Sequence, residues 1–236
     1  MSSALRITLL ISLLGAAVGF LYIQENDPWR RKANLETPAR MASLREVPNT
    51  IQGWPPAPGS KFPELSFFDH EGKPFSINSL RGKPTLVELI AMSCAGCQAF
   101  SGGNKYGGFE GFPAQADLQS IEHYLRQYGG GTELYGSKLN FVQIIIYNLN
   151  LEAPHPIQLS AWRNHFKLTS PNTYIISGGK PLANRESYNM IPGFLLLDKD
   201  LTVRYSSTGH NPIHNLYRTL LPGVVKVLWE NHRTLS

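Results

Sequence analysis

Two cysteines separated by two residues, Cys94 and Cys97, are the residues of this chain best placed to do chemistry, and its 236 residues contain no other cysteine. An apolar run from Thr85 to Ala91 precedes them and contains a single acid, Glu88. A run of that length and composition is typical of a buried β-strand, which puts the cysteines at the turn after its end. Two thiols at this spacing can form and break a disulfide, so the pattern predicts thiol–disulfide exchange.

The turn predicts different roles for the two thiols. Cys94 lies where the backbone N–H groups and the dipole of a following helix stabilise a thiolate, so we expect it to attack a substrate disulfide. Cys97 lies about one helical turn later and would resolve the resulting mixed disulfide. Two other interpretations stay open at this point: a closed, inert disulfide, and a buried pair of small apolar side chains.

The segments around the cysteines resemble the thioredoxin-like superfamily, and in particular its membrane-anchored TlpA/ResA and redoxin branch. The resemblance covers about residues 60–236. Its segments are Val87-Glu88, six residues before the first cysteine; Met190-Ile191-Pro192, which opens an apolar run; and Lys199-Asp200, which leads through a strand to Thr208-Gly209 and a final helix. Their order and spacing together are more specific than any one of them.

This resemblance implies an α/β protein with a thioredoxin-like fold: a central mixed β-sheet flanked by helices, with an N-terminal transmembrane helix. It implies that Glu88 lies buried beneath the dithiol, where a raised pKa lets it accept the proton of Cys97. It also implies a cis peptide bond at Ile191-Pro192 facing the cysteines, with the carbonyl and amide of Ile191 open to a substrate peptide. The alternative for Glu88 is a carboxylate that faces water from an edge strand. No organic cofactor is expected.

Three departures from the family pattern concern the surroundings of the dithiol. Met92-Ser93 replaces the aromatic residue that usually precedes the first cysteine, and Ala95-Gly96 between the cysteines lacks proline. The glycines after Ser101 predict a short or broken helix. The glycine-rich insertion from Gly102 to Gly111 is interpreted either as a flexible loop or as a rim that selects the partner. The aromatic residues of that rim would be Tyr106, Phe109 and Phe112.

The N-terminal segment carries a second signal, an uncharged apolar run of seventeen residues from Ile7 to Ile23. As a helix this run would rise about 25 Å, close to the hydrocarbon thickness of a bilayer. We interpret residues 1–24 as a membrane anchor or signal segment, either an uncleaved signal anchor or a cleaved signal peptide. Residues 25–59, interrupted by prolines, are interpreted as a linker, and residues 60–236 as the thioredoxin-like domain.

This organisation predicts a single-pass protein of a bacterial inner membrane, with its domain facing the periplasm. The intermembrane-space side of the mitochondrial inner membrane is the alternative. The expected partners are disulfide-containing client proteins, a membrane or periplasmic electron donor, and the membrane itself through the N-terminal helix. The resemblance adds apocytochromes as a client class. A net charge of +5, without a basic stripe and interleaved aromatic residues, predicts no nucleic-acid binding.

Metal binding is the rival class, because Cys-x2-Cys is half of a zinc site and a dithiol suits copper(I). The specific alternative is a copper(I) metallochaperone for respiratory oxidase assembly, like the Sco proteins, which share the fold. That family carries Cys-x3-Cys and a histidine just before the strand that begins at Phe194, where this chain has Tyr188-Asn189-Met190. His210 and His214 could share a helix face but are expected to meet solvent, so no metal site is predicted. A peroxidase is not favoured, because no Pro-x-x-x-Thr-x-x-Cys pattern surrounds Cys94.

The rest of the chain alternates predicted strands and helices, and its 42% hydrophobic and 17% charged residues indicate a folded protein. The predicted elements are a hairpin at 65–77, a buried strand at 139–147, a second hairpin at 193–206, helices at 115–128 and 157–168, and a closing helix at 212–230 with a kink at Pro222. Strands separated by helices favour an α/β layer fold with a central mixed sheet.

Overall fold

The computed structural model describes residues 50–208 and 215–233, which form a seven-stranded β-sheet packed against helices. The strands are β1 (Phe67–Asp69), β2 (Pro74–Phe75), β3 (Thr85–Ala91), β4 (Asn140–Tyr147), β5 (Thr173–Ser177), β6 (Gly193–Leu197) and β7 (Val203–Thr208). The helices are α1 (Ala95–Phe100), α2 (Gly103–Tyr106), α3 (Ile121–Tyr128), α4 (Pro156–His165), α5 (Arg185–Asn189) and α6 (Leu221–Arg233). A π-helical turn at Leu216–Leu220 leads into α6.

The sheet is mixed, and its strand order is β2-β1-β5-β4-β3-β6-β7. Strands β3, β4 and β5 run parallel, whereas β6 and β7 on one side and β1 and β2 on the other pair antiparallel to their neighbours. Strand β3 therefore lies inside the sheet, with hydrogen-bonded neighbours along both edges. Its carboxyl end, which leads into the cysteines, opens beside the carboxyl end of β4, where α/β sheets commonly place their sites.

Side chains along β3 alternate between the two faces of the sheet. Val87 and Leu89 belong to the apolar cluster on one face. Leu86 and Ile90 point to the other face, where they belong to two separate apolar clusters. Glu88 lies between these two residues on the same face and is fully buried. A carboxyl group thus separates the two clusters.

The predicted α/β class with a central mixed sheet is confirmed, as are both predicted hairpins and the buried strand β4. The helix predicted at 115–128 begins only at Ile121, because the hydroxyl of Ser120 caps its first turn by accepting the N–H of His123. The pattern did not indicate β5 or α5, which have only five residues each. The closing helix changes from π to α geometry beside Pro222, near the predicted kink.

The predicted membrane anchor and most of the predicted linker lie outside the described residues. Within residues 50–208 and 215–233, the helices are too short or too polar to cross a bilayer. The last part of the predicted linker is packed, since Trp54 is only 4% exposed and meets the ring of Phe62 edge-on at 6.2 Å between centroids. The indole Nε1 also donates a hydrogen bond to Ser187 Oγ over 2.8 Å. Folded structure therefore begins before the predicted boundary at residue 60.

Replacing Trp54 by alanine is expected to lower the free energy of unfolding by about 3 kcal/mol, because the truncation leaves a cavity and removes the donor to Ser187. Urea denaturation followed by circular dichroism measures the loss. Trp229, which is 54% exposed on α6, provides the matched control, and its replacement by alanine should cost about 0.5 kcal/mol. Equal losses for the two variants would contradict a core position for Trp54.

Candidate active site

Cys94 occupies the N-cap of helix α1, at the turn that follows β3. Its Sγ accepts the backbone N–H of Cys97 over 3.3 Å, and its side chain is half-buried. A hydrogen bond from the Cys97 thiol is the main reason that the pKa of Cys94 is lowered to about 7; burial opposes this shift, and backbone N–H groups of the turn support it. Cys94 is therefore the thiol that ionises first near neutral pH.

Cys97 lies in the first turn of α1 and is fully buried. Burial raises the pKa of its thiol well above the ordinary value, and so do the hydrogen bond that it gives to Cys94 and the negative charges of Cys94 and Glu88. Both cysteines are free thiols in this structure. The pair is thus unequal in exposure and in acidity, in the direction that an attacking and a resolving thiol require.

Glu88 lies in the middle of the central strand β3, between β4 and β6, and has no exposed surface. The alternative of an edge-strand carboxylate facing water is therefore wrong. Burial raises the pKa of Glu88 to about 8; the negative charge of Cys94 adds to this rise, and a hydrogen bond from Gln143 opposes it. The carboxyl group is consequently mostly neutral at pH 7 and can exchange a proton a little above that pH.

Gln143 is the residue directly opposite Glu88 on β4. Its Nε2 donates to Glu88 Oε2 over 2.8 Å and to Ser101 Oγ over 2.9 Å, and its Oε1 accepts the indole N–H of Trp162 over 3.0 Å. These four side chains form a polar layer under the dithiol. This layer was not predicted, although one polar residue in the middle of each of two apolar strands was a signal for it.

Ile191 and Pro192 are joined by a cis peptide bond directly before β6. Pro192 lies beside the dithiol turn, since its Cγ is 3.7 Å from the position that a Cβ on Gly96 would occupy. The backbone N–H of Ile191 donates to the carbonyl of Tyr188 over 3.2 Å. The expectation that this amide is open to a substrate is therefore wrong, because the chain itself uses it. Backbone pairing with a substrate at this residue would use the Ile191 carbonyl.

The insertion after the dithiol folds onto α1. Helix α1 ends at Phe100, and Gly102 with φ of +112° turns the chain, as the glycines predicted. The backbone N–H of Phe109 donates to Gln98 Oε1 over 2.8 Å, and the Phe109 ring is buried against Trp162 at 5.2 Å between centroids. Phe109 is consequently a core residue and not part of a rim.

Two other residues of the chain following α2 flank the dithiol turn. The backbone N–H of Gln115 donates to the carbonyl of Ala95 over 3.0 Å. Gln115 Oε1 and Leu118 Cδ1 lie 3.6 and 3.8 Å from the position of a Cβ on Gly96. Together with Pro192 these side chains surround Gly96, which is buried. No local sequence signal pointed to either residue.

The rival metal interpretation requires ligands in addition to the dithiol. Within the two described ranges, no three or more His, Cys, Asp or Glu residues are grouped so that they could hold a metal ion. Met190, the soft ligand considered for copper, is 6% exposed and belongs to an apolar cluster. His210 and His214 lie outside the described residues.

The dithiol after the central strand, the cis-proline before the antiparallel strand β6 and the order β5-β4-β3-β6-β7 together make the fold thioredoxin-like. No protein-family model matches the sequence, and no curated protein matches it.

The solved structures to which the chain is similar are distant in sequence. A thiol peroxidase from Chromobacterium violaceum is 16% identical; the match covers 78% of this chain and 92% of the peroxidase, with a TM-score of 0.49. The thioredoxin domain of a thiol-disulfide oxidoreductase from Bacteroides vulgatus is 15% identical, with 70% and 98% covered and a TM-score of 0.43. Copper-bound ScoI from Bradyrhizobium japonicum is 19% identical, with 73% and 99% covered and a TM-score of 0.43.

Alkylation of Cys94 in the reduced protein should follow a titration with a midpoint near pH 7, because the thiolate is the reactive form. Replacing Cys97 by alanine removes the thiol that donates to Cys94, so the midpoint should move upward. The rate of iodoacetamide modification against pH, with the site located by mass spectrometry, measures both values. An unchanged midpoint in the alanine variant would contradict the hydrogen bond between the thiols.

Replacing Glu88 by glutamine should change how stability depends on pH. The folded carboxyl keeps its proton up to about pH 8, whereas the carboxyl of the unfolded chain releases it near 4.5. The contribution of Glu88 to the free energy of unfolding is therefore fully present below pH 4.5. It falls as the pH rises to 8, by up to about 1.4 kcal/mol per pH unit. Urea denaturation between pH 5 and 9 should show this fall with Glu88 and lose it with glutamine.

The test is best made in a Cys94→Ser/Cys97→Ser background, where no thiol titrates. Parallel curves for the glutamate and glutamine forms would show that Glu88 is ionised in the folded protein throughout this range.

Proposed function

We propose that this protein is a thiol–disulfide oxidoreductase whose redox couple is the dithiol of Cys94 and Cys97. The observation that carries the proposal is the unequal pair of thiols. Cys94 is half-buried and has a lowered pKa, whereas Cys97 is buried, has a raised pKa and feels the charge of the buried Glu88. An inert structural pair would not need one half-buried thiolate beside a buried acid. No organic cofactor takes part, since the two sulfurs hold the electrons.

The reaction begins when the Cys94 thiolate attacks a client disulfide. The client S–S bond breaks, a bond between Cys94 and one client sulfur forms, and the other client sulfur leaves as a thiolate. Cys97 gives its proton to the carboxylate of Glu88, and its sulfur then attacks Cys94. The second client sulfur leaves, so the client has gained two electrons and the protein has formed its own disulfide. The same steps in reverse oxidise a client dithiol.

Glu88 is suited to act at the resolving step. The negative charge of the Cys94 thiolate helps to hold the pKa of Glu88 near 8 in the free dithiol. In the mixed disulfide Cys94 carries no charge, so this contribution disappears and the carboxyl group ionises more readily. The base becomes available at the step in which Cys97 must lose its proton.

The client would bind as an extended segment across the dithiol turn. The Ile191 carbonyl supplies an acceptor for its backbone, and Pro192 supplies an apolar surface next to Gly96. Gln115 and Leu118 meet the same turn and would contribute to the choice of client.

We also propose that the N-terminal apolar segment tethers the domain to an inner membrane, single-pass and facing the periplasm, or to the mitochondrial inner membrane on its intermembrane-space side. The support is the uncharged run from Ile7 to Ile23. A tether raises the effective concentration of membrane-bound partners. The clients would be exported proteins with disulfides, including apocytochromes, and a membrane or periplasmic dithiol donor would return the electrons.

Replacing Cys97 by serine in the full-length chain should trap clients, because the mixed disulfide at Cys94 then cannot be resolved. After alkylation of free thiols, we expect client proteins bound covalently to the variant and released by dithiothreitol. Non-reducing gels and mass spectrometry identify them. The Cys94→Ser/Cys97→Ser variant is the matched control and should hold none.

Copper(I) delivery is the alternative function that would replace disulfide exchange. It would be indicated if the Cys97→Ser variant held no client, and if the wild-type dithiol bound copper(I) tightly while the double variant did not. A purified protein whose dithiol shows no reversible two-electron couple against glutathione would likewise contradict disulfide exchange.

A further inference from the structure

The side chain of Gln143 is a fully buried polar group in the middle of an apolar strand. Such a group is costly in a protein interior unless its hydrogen bonds are made. Both of its amide N–H bonds and its carbonyl oxygen find partners. Its contacts are Glu88 Oε2 at 2.8 Å, Ser101 Oγ at 2.9 Å and Trp162 Nε1 at 3.0 Å.

The contact with Trp162 decides which way the amide points. An indole N–H is only a donor, so the amide atom that faces it must be the carbonyl oxygen. The NH2 group is then turned toward Glu88 and Ser101. A rotation of the amide by 180° would place its N–H against the indole N–H and leave both without an acceptor. Trp162, which is itself fully buried, thereby fixes the orientation of Gln143.

The fixed amide makes the two oxygens of Glu88 unequal. Oε2 accepts the N–H of Gln143, whereas Oε1 is buried without a hydrogen-bond partner. A proton on Oε2 would face another proton donor, so the proton of the neutral acid belongs on Oε1. That oxygen is consequently the one able to exchange a proton.

The surroundings of Glu88 contain few other groups that titrate. From α1 these are Cys94 and Cys97, and at longer range the charge of Glu88 also acts on Tyr135. From β6 the residue opposite Glu88 is the apolar Phe194. In the oxidised protein the cysteines do not titrate, so a titration of Glu88 can be observed alone.

We propose that Gln143 is a positioning residue for Glu88, oriented by Trp162, and that it confines the exchangeable proton to Oε1. This inference rests on the proposed function, in which Glu88 exchanges a proton with Cys97. The amide acts through the carboxyl group and touches neither client nor reacting sulfur in the proposed reaction. Its effects should therefore appear in the titration of Glu88 and in the pH dependence of the resolving step.

The test replaces Gln143 by methionine, which has a similar length and no N–H to donate. The side-chain carboxyl signals of the oxidised, full-length protein labelled with 13C-glutamate are followed by NMR against pH, with Glu88→Gln used for assignment. We expect the midpoint of Glu88 to rise by about one pH unit, because the donor that favoured its ionised form is gone. The rate of mixed-disulfide resolution, measured by stopped flow, should shift along the pH axis by the same amount.

Gln98→Met is the matched control. Gln98 is also a fully buried glutamine, and it hydrogen-bonds to the Met92 carbonyl and the Phe109 N–H, with no contact to Glu88 among those bonds. This variant should lose stability and leave the Glu88 midpoint unchanged.

Trp162→Phe supplies a second variant should Gln143→Met fail to fold. It keeps an aromatic ring but loses the five-membered ring with the indole N–H, so the amide can rotate and offer its carbonyl to protonated Glu88. The Glu88 midpoint should again rise, and the double variant should show no more than the shift of Gln143→Met alone, since the tryptophan acts only through the glutamine.

Three results would distinguish the ways in which the inference or the proposed function could fail. If Glu88 of the oxidised protein titrates above its ordinary pKa and neither Gln143→Met nor Trp162→Phe moves its midpoint, the positioning role is wrong and the proposed exchange reaction stands. If the Gln143 and Gln98 variants shift the midpoint equally, the effect is one of general packing and the inference is also wrong. If the resolving step is independent of Glu88 altogether, the acid has no part in the reaction, and the proposed function loses its base.

Discussion

The removal of one carboxyl group from water is the interaction on which the rest of this structure depends. Glu88 lies in the central strand with neighbours on both sides, and burial raises its pKa to about 8. A charged carboxylate at this position would be costly, so the group is kept neutral at neutral pH and receives one hydrogen bond from Gln143. The two apolar clusters on this face of the sheet meet at this polar layer.

The dithiol above it depends on a short helix. Cys94 can accept the N–H of Cys97 because it stands at the N-cap of α1, and the helix needs only its first turn for this effect. The chain can then leave α1 after six residues and fold back over it. Gly103 makes the close approach possible, since a Cβ there would lie 2.3 Å from that of Ala114. The turn that activates Cys94 and the segment that covers Gly96 are thus parts of one arrangement.

Stability and chemistry make opposite demands at this site. Leucine or methionine at position 88 would pack without an orphaned oxygen, whereas Glu88 leaves Oε1 buried and unpaired by hydrogen bonds. A buried polar atom without a hydrogen bond calls for an explanation, and a role in the chemistry of the site is one for Glu88. The raised pKa of Cys97 belongs to the same compromise, because the buried thiol stays protonated until the proposed resolution of the mixed disulfide at Cys94.

The local patterns of the sequence were enough to determine the dithiol, its preceding strand, the acid within that strand, both hairpins and the mixed α/β class. Each of these depends on residues close together in the chain. Only the tertiary structure decided that Gln143, 55 residues from Glu88, donates to its carboxyl group, that Trp162 orients the amide, and that Trp54 packs in the core. Such partners are selected by strand order, register and the return path of loops, and a pattern read along one strand does not contain the identity of its neighbour.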